Sequence, residues 1–236
     1  MKVGSLHQIE MTSNCNLRCK YCVHRSMARP KEDMDHETFV KCLTIAKQFV
    51  KQGTQKELNL AGIGESTIHP RFVEYVHMAR EAVGWGCHLV LSTNAVKMPD
   101  DMIEAIEPSG ISVYVSPHRP EKAAQPIKKL REMGLLRGLS EGAWTASVDW
   151  AGQLDWPVTA GTTGSECPWL KFGRVTAFSN GLLSTCCFDS DNSGVVGTID
   201  DLLAGKELHV EPYKLCGPCH HVVPSSFKPH SVEDVA

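Results

Sequence analysis

Cys15-Asn16-Leu17-Arg18-Cys19-Lys20-Tyr21-Cys22 follows, after three intervening residues, on Leu6 to Met11, which reads as a strand running into a cysteine loop. The loop sets three thiols with three and then two residues between them. Three thiolates on one loop can ligate three irons of a 4Fe–4S cluster and leave the fourth iron open. Structural zinc wants four closed ligands, and the nearby His24 is the residue able to complete such a set.

Outward from this loop, the chain of 236 residues carries ten cysteines, at 15, 19 and 22, at 42 and 87, and at 167, 186, 187, 216 and 219. Met1 to Glu10 shows no apolar run behind a basic start, so no signal peptide is read and a cytoplasmic location is expected. In that reducing compartment clustered thiols point to metal sites and not to disulfides. Cys42 and Cys87, isolated among apolar neighbours, read as buried thiols. A net charge of −3 with 42% hydrophobic residues excludes a disordered chain or a strongly basic nucleic-acid coat. No run approaches the ~20 apolar residues that span a bilayer.

Strand and helix patterns alternate through the first two-thirds. Asp35 caps a helix from His36 to about Gln52, Glu57–Ala61 is a strand, and Pro70 opens a helix bearing Phe72, Val76, Ala79 and Val83 on one face. Strands follow at Cys87–Ser92, Ile111–Ser116 and Ala143–Val148, with helices over Asp100–Glu107 and Pro126–Met133. Five strands and four helices predict an α/β fold of parallel units, an open doubly wound sheet or a partial TIM-like barrel. In either, the loops after strand C-termini converge on one mouth, which is where the cysteine loop, Gly64-Glu65, Ser92-Thr93-Asn94 and Ser116 fall.

Beyond Trp150 the character changes. Asp155–Glu166 reads as a connection, and Gly173–Cys187 as a small β-hairpin turned by Asn180-Gly181, a pair favoured in type I′ turns. The predicted division is a core over 1–153 and an extension over 154–236. Cys167, Cys186, Cys216 and Cys219 can close around a second 4Fe–4S cluster or a four-cysteine zinc ion. Cys187 rivals Cys186, but neighbours on a strand face opposite ways.

Together the pieces are identified with a family. Cys-x3-Cys-x2-Cys after the first strand, with Tyr21 before the last cysteine, resembles the radical S-adenosylmethionine (radical SAM) enzymes. Ala61-Gly62-Ile63-Gly64-Glu65-Ser66 resembles the family's glycine–glutamate motif, whose backbone meets the amino group of the methionine moiety. Ile63 stands between the glycines, and Ser66 where Pro is usual. Ser92-Thr93-Asn94 resembles the ribose-contacting turn, and Ser116 and Arg119 fall where relatives contact ribose or the methionyl carboxylate. The spacing of Cys167, Gly181, Cys186 and Cys216-Gly217-Pro218-Cys219 resembles the SPASM/twitch extension in its one-cluster form. That architecture looks like the partial barrel of 2-deoxy-scyllo-inosamine dehydrogenase.

The resemblance implies a SAM-binding 4Fe–4S cluster at Cys15, Cys19 and Cys22, an auxiliary 4Fe–4S cluster, and S-adenosyl-L-methionine itself. It implies cleavage to a 5′-deoxyadenosyl radical that takes hydrogen from a polar amine- or alcohol-bearing substrate, fed by an electron donor such as flavodoxin or ferredoxin. His118 and Asp149, with His220 and His221, are candidates for general acid–base work. Trp144, Trp150 and Trp156 are candidates to wall a pocket or to pack the barrel on its extension. Basic residues from Arg18 to Lys31 and from Arg119 to Arg131 leave a second substrate class open, a nucleoside or modified base; the net charge disfavours a large nucleic-acid footprint. A zinc-stabilised binding module is the third reading.

Overall fold

The structure is a computed structural model that describes residues 1–139, 150–154, 167–216 and 219. Eight strands form one sheet in the order β5-β4-β3-β2-β1-β6-β7-β8. They are β1 Ser5–Ile9, β2 Glu57–Asn59, β3 His88–Thr93, β4 Ser112–Val115, β5 Leu136–Leu139, β6 Arg174–Ala177, β7 Leu182–Ser184 and β8 Val195–Thr198. Helices α1 His36–Lys51, α2 Phe72–Val83, α3 Asp100–Ile106 and α4 Pro120–Glu132 join the first five strands, which pair parallel as the partial barrel requires. Two short α-helices follow among the described residues, α5 Pro168–Lys171 and α6 Ile199–Leu203. No helix among the described residues is long and apolar enough to cross a membrane.

Local chemistry accounts for the helices. Asp35 accepts the Thr38 amide at the start of α1, as the cap pattern predicts. Phe39, Leu43 and Ala46 turn inward, and the Phe39 ring stacks on Tyr75 of α2 with centroids 3.8 Å apart. Helix α4 begins at Pro120 and not at Pro126. Pro120 occupies its first turn, where a missing N–H costs nothing, and Pro126 is carried inside. Gly134, at φ +70°, ends it as expected.

Two expectations meet a different outcome, and one pairing is new. The strand beside β4 is Leu136–Leu139, running directly out of Gly134, whereas Ala143–Val148 lies outside the described residues. The hairpin loop is not type I′, since only Gly181 has positive φ. Gly181 donates to Phe178 and Phe178 to Leu182, both at 2.9 Å, a turn over Ser179-Asn180 completed by a left-handed glycine. Finally, β6 pairs parallel with β1, so the hairpin and β8 continue the barrel sheet from its other edge. Helix α6 packs on α1, where Lys41 meets Asp200 at 3.0 Å.

Candidate functional site

The loops after β1, β2, β3 and β4 enclose a cavity of about 480 Å³ at the C-terminal ends of the parallel strands. Cys15, Cys19 and Cys22 line it from one side, Gly62 to Glu65 from a second, and Ser92, Asn94, Ser116 and His118 from a third. Residues spread over more than a hundred positions of chain thus share one space.

Buried polar contacts hold the cysteine loop. Ser13 donates its amide to Glu32 at 2.9 Å, Thr12 Oγ1 donates to Asp33 at 2.5 Å, and the His24 ring meets the Ser13 carbonyl at 3.0 Å. That bond commits His24 Nε2 to the backbone and removes it from a zinc ligand set through that atom. The Leu17 amide donates to Cys15 Sγ at 3.4 Å. Burial pushes the Cys15 thiol up to about 11 and raises Cys22 as well, so both are protonated at neutral pH until a metal group displaces the proton. Among the described residues no three His, Cys, Asp or Glu converge on one point as a single ion would need.

The glycine loop is pressed against this one. A Cβ on Gly64 would stand 2.2 Å from the Thr12 carbonyl oxygen, and one on Gly62 would strike the Glu10 side chain at 2.3 Å. Glu65 is buried and accepts from Thr93 Oγ1 at 2.6 Å, Thr67 Oγ1 at 2.8 Å and the Asn94 amide at 2.7 Å. Burial raises its carboxyl, against the opposing effect of those bonds. Its carboxylate therefore locks the loop after β2 to the loop after β3, leaving the backbone of Gly62 to Gly64 facing the cavity. Ser66, where a proline was expected, closes the turn by donating to the Leu60 carbonyl at 2.9 Å. Gly64→Ala is expected to cost about 1–3 kcal/mol of stability by forcing these loops apart. Thermal denaturation measures that loss, and titration of S-adenosylmethionine into the protein should show affinity lower by about tenfold or more.

Tyr21 Oη lies 2.9 Å from His118 Nδ1 across the mouth, and the Tyr21 carbonyl accepts from Trp150 Nε1 at 2.9 Å. Burial lowers His118, which is neutral at pH 7, and raises Tyr21. Arg119 is exposed at the start of α4 and does not line the cavity, although its charge reaches Tyr21. Asn94 spends its amide nitrogen on Asn16 Oδ1 at 2.9 Å. Trp150 walls the cavity and also packs edge-on against Phe188 at 5.2 Å, so it serves both uses weighed for it. Asp149, Trp144, Trp156, His220 and His221 lie outside the described residues.

A second, small apolar pocket gathers Cys167, Cys186, Cys216 and Cys219 with Leu170, Thr185, Tyr213 and Leu215. Cys187 is not in its lining. Its thiol keeps its proton, pushed far up first by the neighbouring Cys186 sulfur and then by burial, and that contact draws Cys186 below the usual thiol range. None of the ten cysteines is in a disulfide.

Comparison with known families matches residues 9–165 to the Radical SAM superfamily, well over half of the chain. The chain belongs to the radical SAM superfamily. Members of it carry a 4Fe–4S cluster and bind S-adenosylmethionine. Over 109 residues the chain is 38% identical to the tungsten-containing aldehyde ferredoxin oxidoreductase cofactor-modifying protein of Pyrococcus furiosus, covering 46% of this chain and 29% of that protein. It is 22% identical over 142 residues to GTP 3′,8-cyclase of Haemophilus ducreyi, covering 54% and 41%. The chain thus spans less than half the length of these curated relatives. Among solved structures, BtrN in complex with AdoMet and 2-DOIA shares the fold with TM-score 0.68 at 17% identity, over 86% of this chain and 81% of that one. The anSMEcpe structure with bound AdoMet gives 0.59 at 13% identity, over 82% and 74%.

The radical SAM mouth fits the family's two groups. Three thiols with an N–H···S contact, backbone-to-backbone glycines and a cavity of about 480 Å³ suit a cluster with an organic ligand beside it. The sequence reading missed Tyr114, Gly138 and Leu139 in the lining and the buried Glu10–Arg29 pair below it. Gly138 lets the Tyr114 ring lie across β5, for a Cβ there would sit 2.9 Å from it. The available signal for the pair was Glu10 itself, a carboxylate set between the apolar Ile9 and Met11.

Proposed function

We propose that this chain is a radical SAM enzyme of the one-auxiliary-cluster, twitch-like type, acting on a small polar amine- or alcohol-bearing substrate. The observation that carries the reading is the gathering of Cys167, Cys186, Cys216 and Cys219 round one pocket, apart from the mouth that holds Cys15, Cys19 and Cys22. When bound, a reduced cluster supplies the electron that splits S-adenosylmethionine into methionine and a 5′-deoxyadenosyl radical.

The protein's part is to hold and exclude. The Gly62–Gly64 backbone, kept in place by Glu65, faces the methionine moiety, and Ser92, Asn94 and Ser116 face the ribose. Tyr21 covers the cysteine side, and Arg119 attracts the carboxylate from the rim. Neutral His118, steadied by Tyr21, accepts a proton from the substrate as it is oxidised, with Asp149 as the second candidate. Holding one C–H bond at near-attack distance, away from water, is the protein's main contribution to rate. Arg18, Lys20, Arg25 and Lys31 are exposed on the cysteine loop and form no ion pair among the described residues, which suits docking of an acidic electron donor such as flavodoxin or ferredoxin.

The same cations, with the partial similarity to a GTP cyclase, support a nucleotide as the second substrate reading. Much of the remaining positive charge is compensated: Arg29 is internal, and Lys129 and Lys128 pair with Glu104 and Glu132.

Anaerobic reconstitution tests the reading. About eight irons and eight sulfides per chain are expected, with 5′-deoxyadenosine formed under strong reduction. Deuterium transfer from labelled aminocyclitols, amino alcohols and nucleotides, read by mass spectrometry, then identifies the substrate class. Zinc without sulfide at both sites would overturn it.

A further inference from the structure

Two residues lining the second pocket carry hydroxyls that make no hydrogen bond to oxygen or nitrogen among the described residues. Thr185 is 2% exposed, yet its Oγ1 has no hydrogen-bond partner among the described residues, and the buried Tyr213 Oη meets only the Cys186 sulfur. Both residues line the pocket, whose other walls are the four thiols and two leucines. Buried hydroxyls are normally bonded, so two that lack an oxygen or nitrogen acceptor on one thiol-lined pocket point to an acceptor that belongs inside it.

Their placement is built in. Asp189, fully buried, accepts from Ser184 Oγ at 2.8 Å, the Ser193 amide at 2.8 Å, Ser193 Oγ at 2.9 Å and the Gly194 amide at 2.7 Å. This carboxylate fixes the loop from β7 to β8. Across that loop the Thr185 amide donates to the Gly194 carbonyl at 3.1 Å. The Tyr213 ring rests on Gly194, where a Cβ would stand 2.5 Å from ring carbon Cζ. One loop therefore holds both residues on the pocket lining beside the thiols. The Phe188 and Tyr213 amides already reach Cys186 Sγ and Cys216 Sγ, each at 3.4 Å.

We propose that Thr185 and Tyr213 donate hydrogen bonds to sulfurs of a 4Fe–4S cluster held by Cys167, Cys186, Cys216 and Cys219, and so raise its reduction potential. The inference rests on the auxiliary-cluster reading above and deepens it. Donors near cluster sulfurs favour the more electron-rich reduced state, as hydrogen bonding does at other iron–sulfur sites. A purely structural cluster needs no such tuning.

The full-length chain with Cys15, Cys19 and Cys22 changed to Ala isolates this site. After anaerobic reconstitution, iron and sulfide are counted, and a redox titration is followed by paramagnetic resonance of the reduced cluster. Thr185→Val and Tyr213→Phe are each expected to lower the midpoint. At a fixed poise the reduced-to-oxidised ratio should fall about threefold to tenfold per hydroxyl, tenfold being 59 mV for one electron. Thr185→Ser should restore the parent value, and Gly194→Ala, which displaces the Tyr213 ring, should act like Tyr213→Phe.

About four irons with unchanged midpoints in both hydroxyl variants overturns the tuning role while leaving the cluster assignment intact. Zinc without sulfide in the parent overturns the cluster assignment and the tuning with it. If Thr185→Val fails to take up iron, Tyr213→Phe and Gly194→Ala decide: a lowered midpoint supports the proposal and an unshifted one defeats it.

Discussion

Changing Cys15, Cys19 and Cys22 together to Ala abolishes 5′-deoxyadenosine formation and halves the iron content, from about eight to about four per chain. The fold survives the change, because beyond the Leu17 amide on Cys15 the loop is held by groups other than its thiols. That task falls to the Ser13 amide on Glu32, Thr12 on Asp33, His24 on the Ser13 carbonyl and Arg29 on Glu10. Circular dichroism of the variant should match the parent. The missing irons belong to the mouth, since the other four thiols sit in a separate pocket. Continued 5′-deoxyadenosine production under strong reduction would refute the assignment of the open iron.

Arg29→Met costs about 3–5 kcal/mol, because it leaves the fully buried Glu10 carboxylate unpaired. Arg29 Nη2 lies 2.7 Å from Glu10 Oε1 and 2.8 Å from Oε2, its Nε donates to the Ser190 carbonyl at 2.9 Å, and its guanidinium lies 4.6 Å above the Phe178 ring. Glu10 in turn accepts the Ile63 amide at 3.0 Å. The pair thereby binds the cysteine loop, the glycine loop and the C-terminal hairpin to one point beneath the mouth. For a chain of this length the midpoint of thermal unfolding falls by about 6–20 °C. The double variant Glu10→Gln, Arg29→Met should lose less than Arg29→Met alone, a coupling that a double-mutant cycle reads directly. A single-variant loss under about 1 kcal/mol would show that the pair carries no such weight.

Sequence spacing disclosed the mouth because its parts are local. A thiol triplet, a glycine turn or a Ser-Thr-Asn turn is a short segment, and each fell at a strand C-terminus, where parallel topology collects loops. Strand alternation left only one of Cys186 and Cys187 to face a cluster, and the four-residue spacing from Gly181 pointed to Cys186, which lines the second pocket. Arg29 was counted with the surface cations and turned out to be internal. Charge in a sequence carries no sign of burial until the partner, here nineteen residues away in Glu10, is brought alongside.

The chain itself determined its helices, their caps and the cysteine sets, since those depend on contacts three or four residues apart and on turn chemistry. Only tertiary structure decided that Leu136–Leu139 is the fifth strand, that β6 returns to pair with β1 more than 160 residues upstream, and that Thr185 and Tyr213 line one pocket with four thiols. Such pairings are selected by which apolar faces and buried donors can be satisfied together. A four-residue strand holding Gly138, or a lone hydroxyl after β7, has too little local preference to announce its partner.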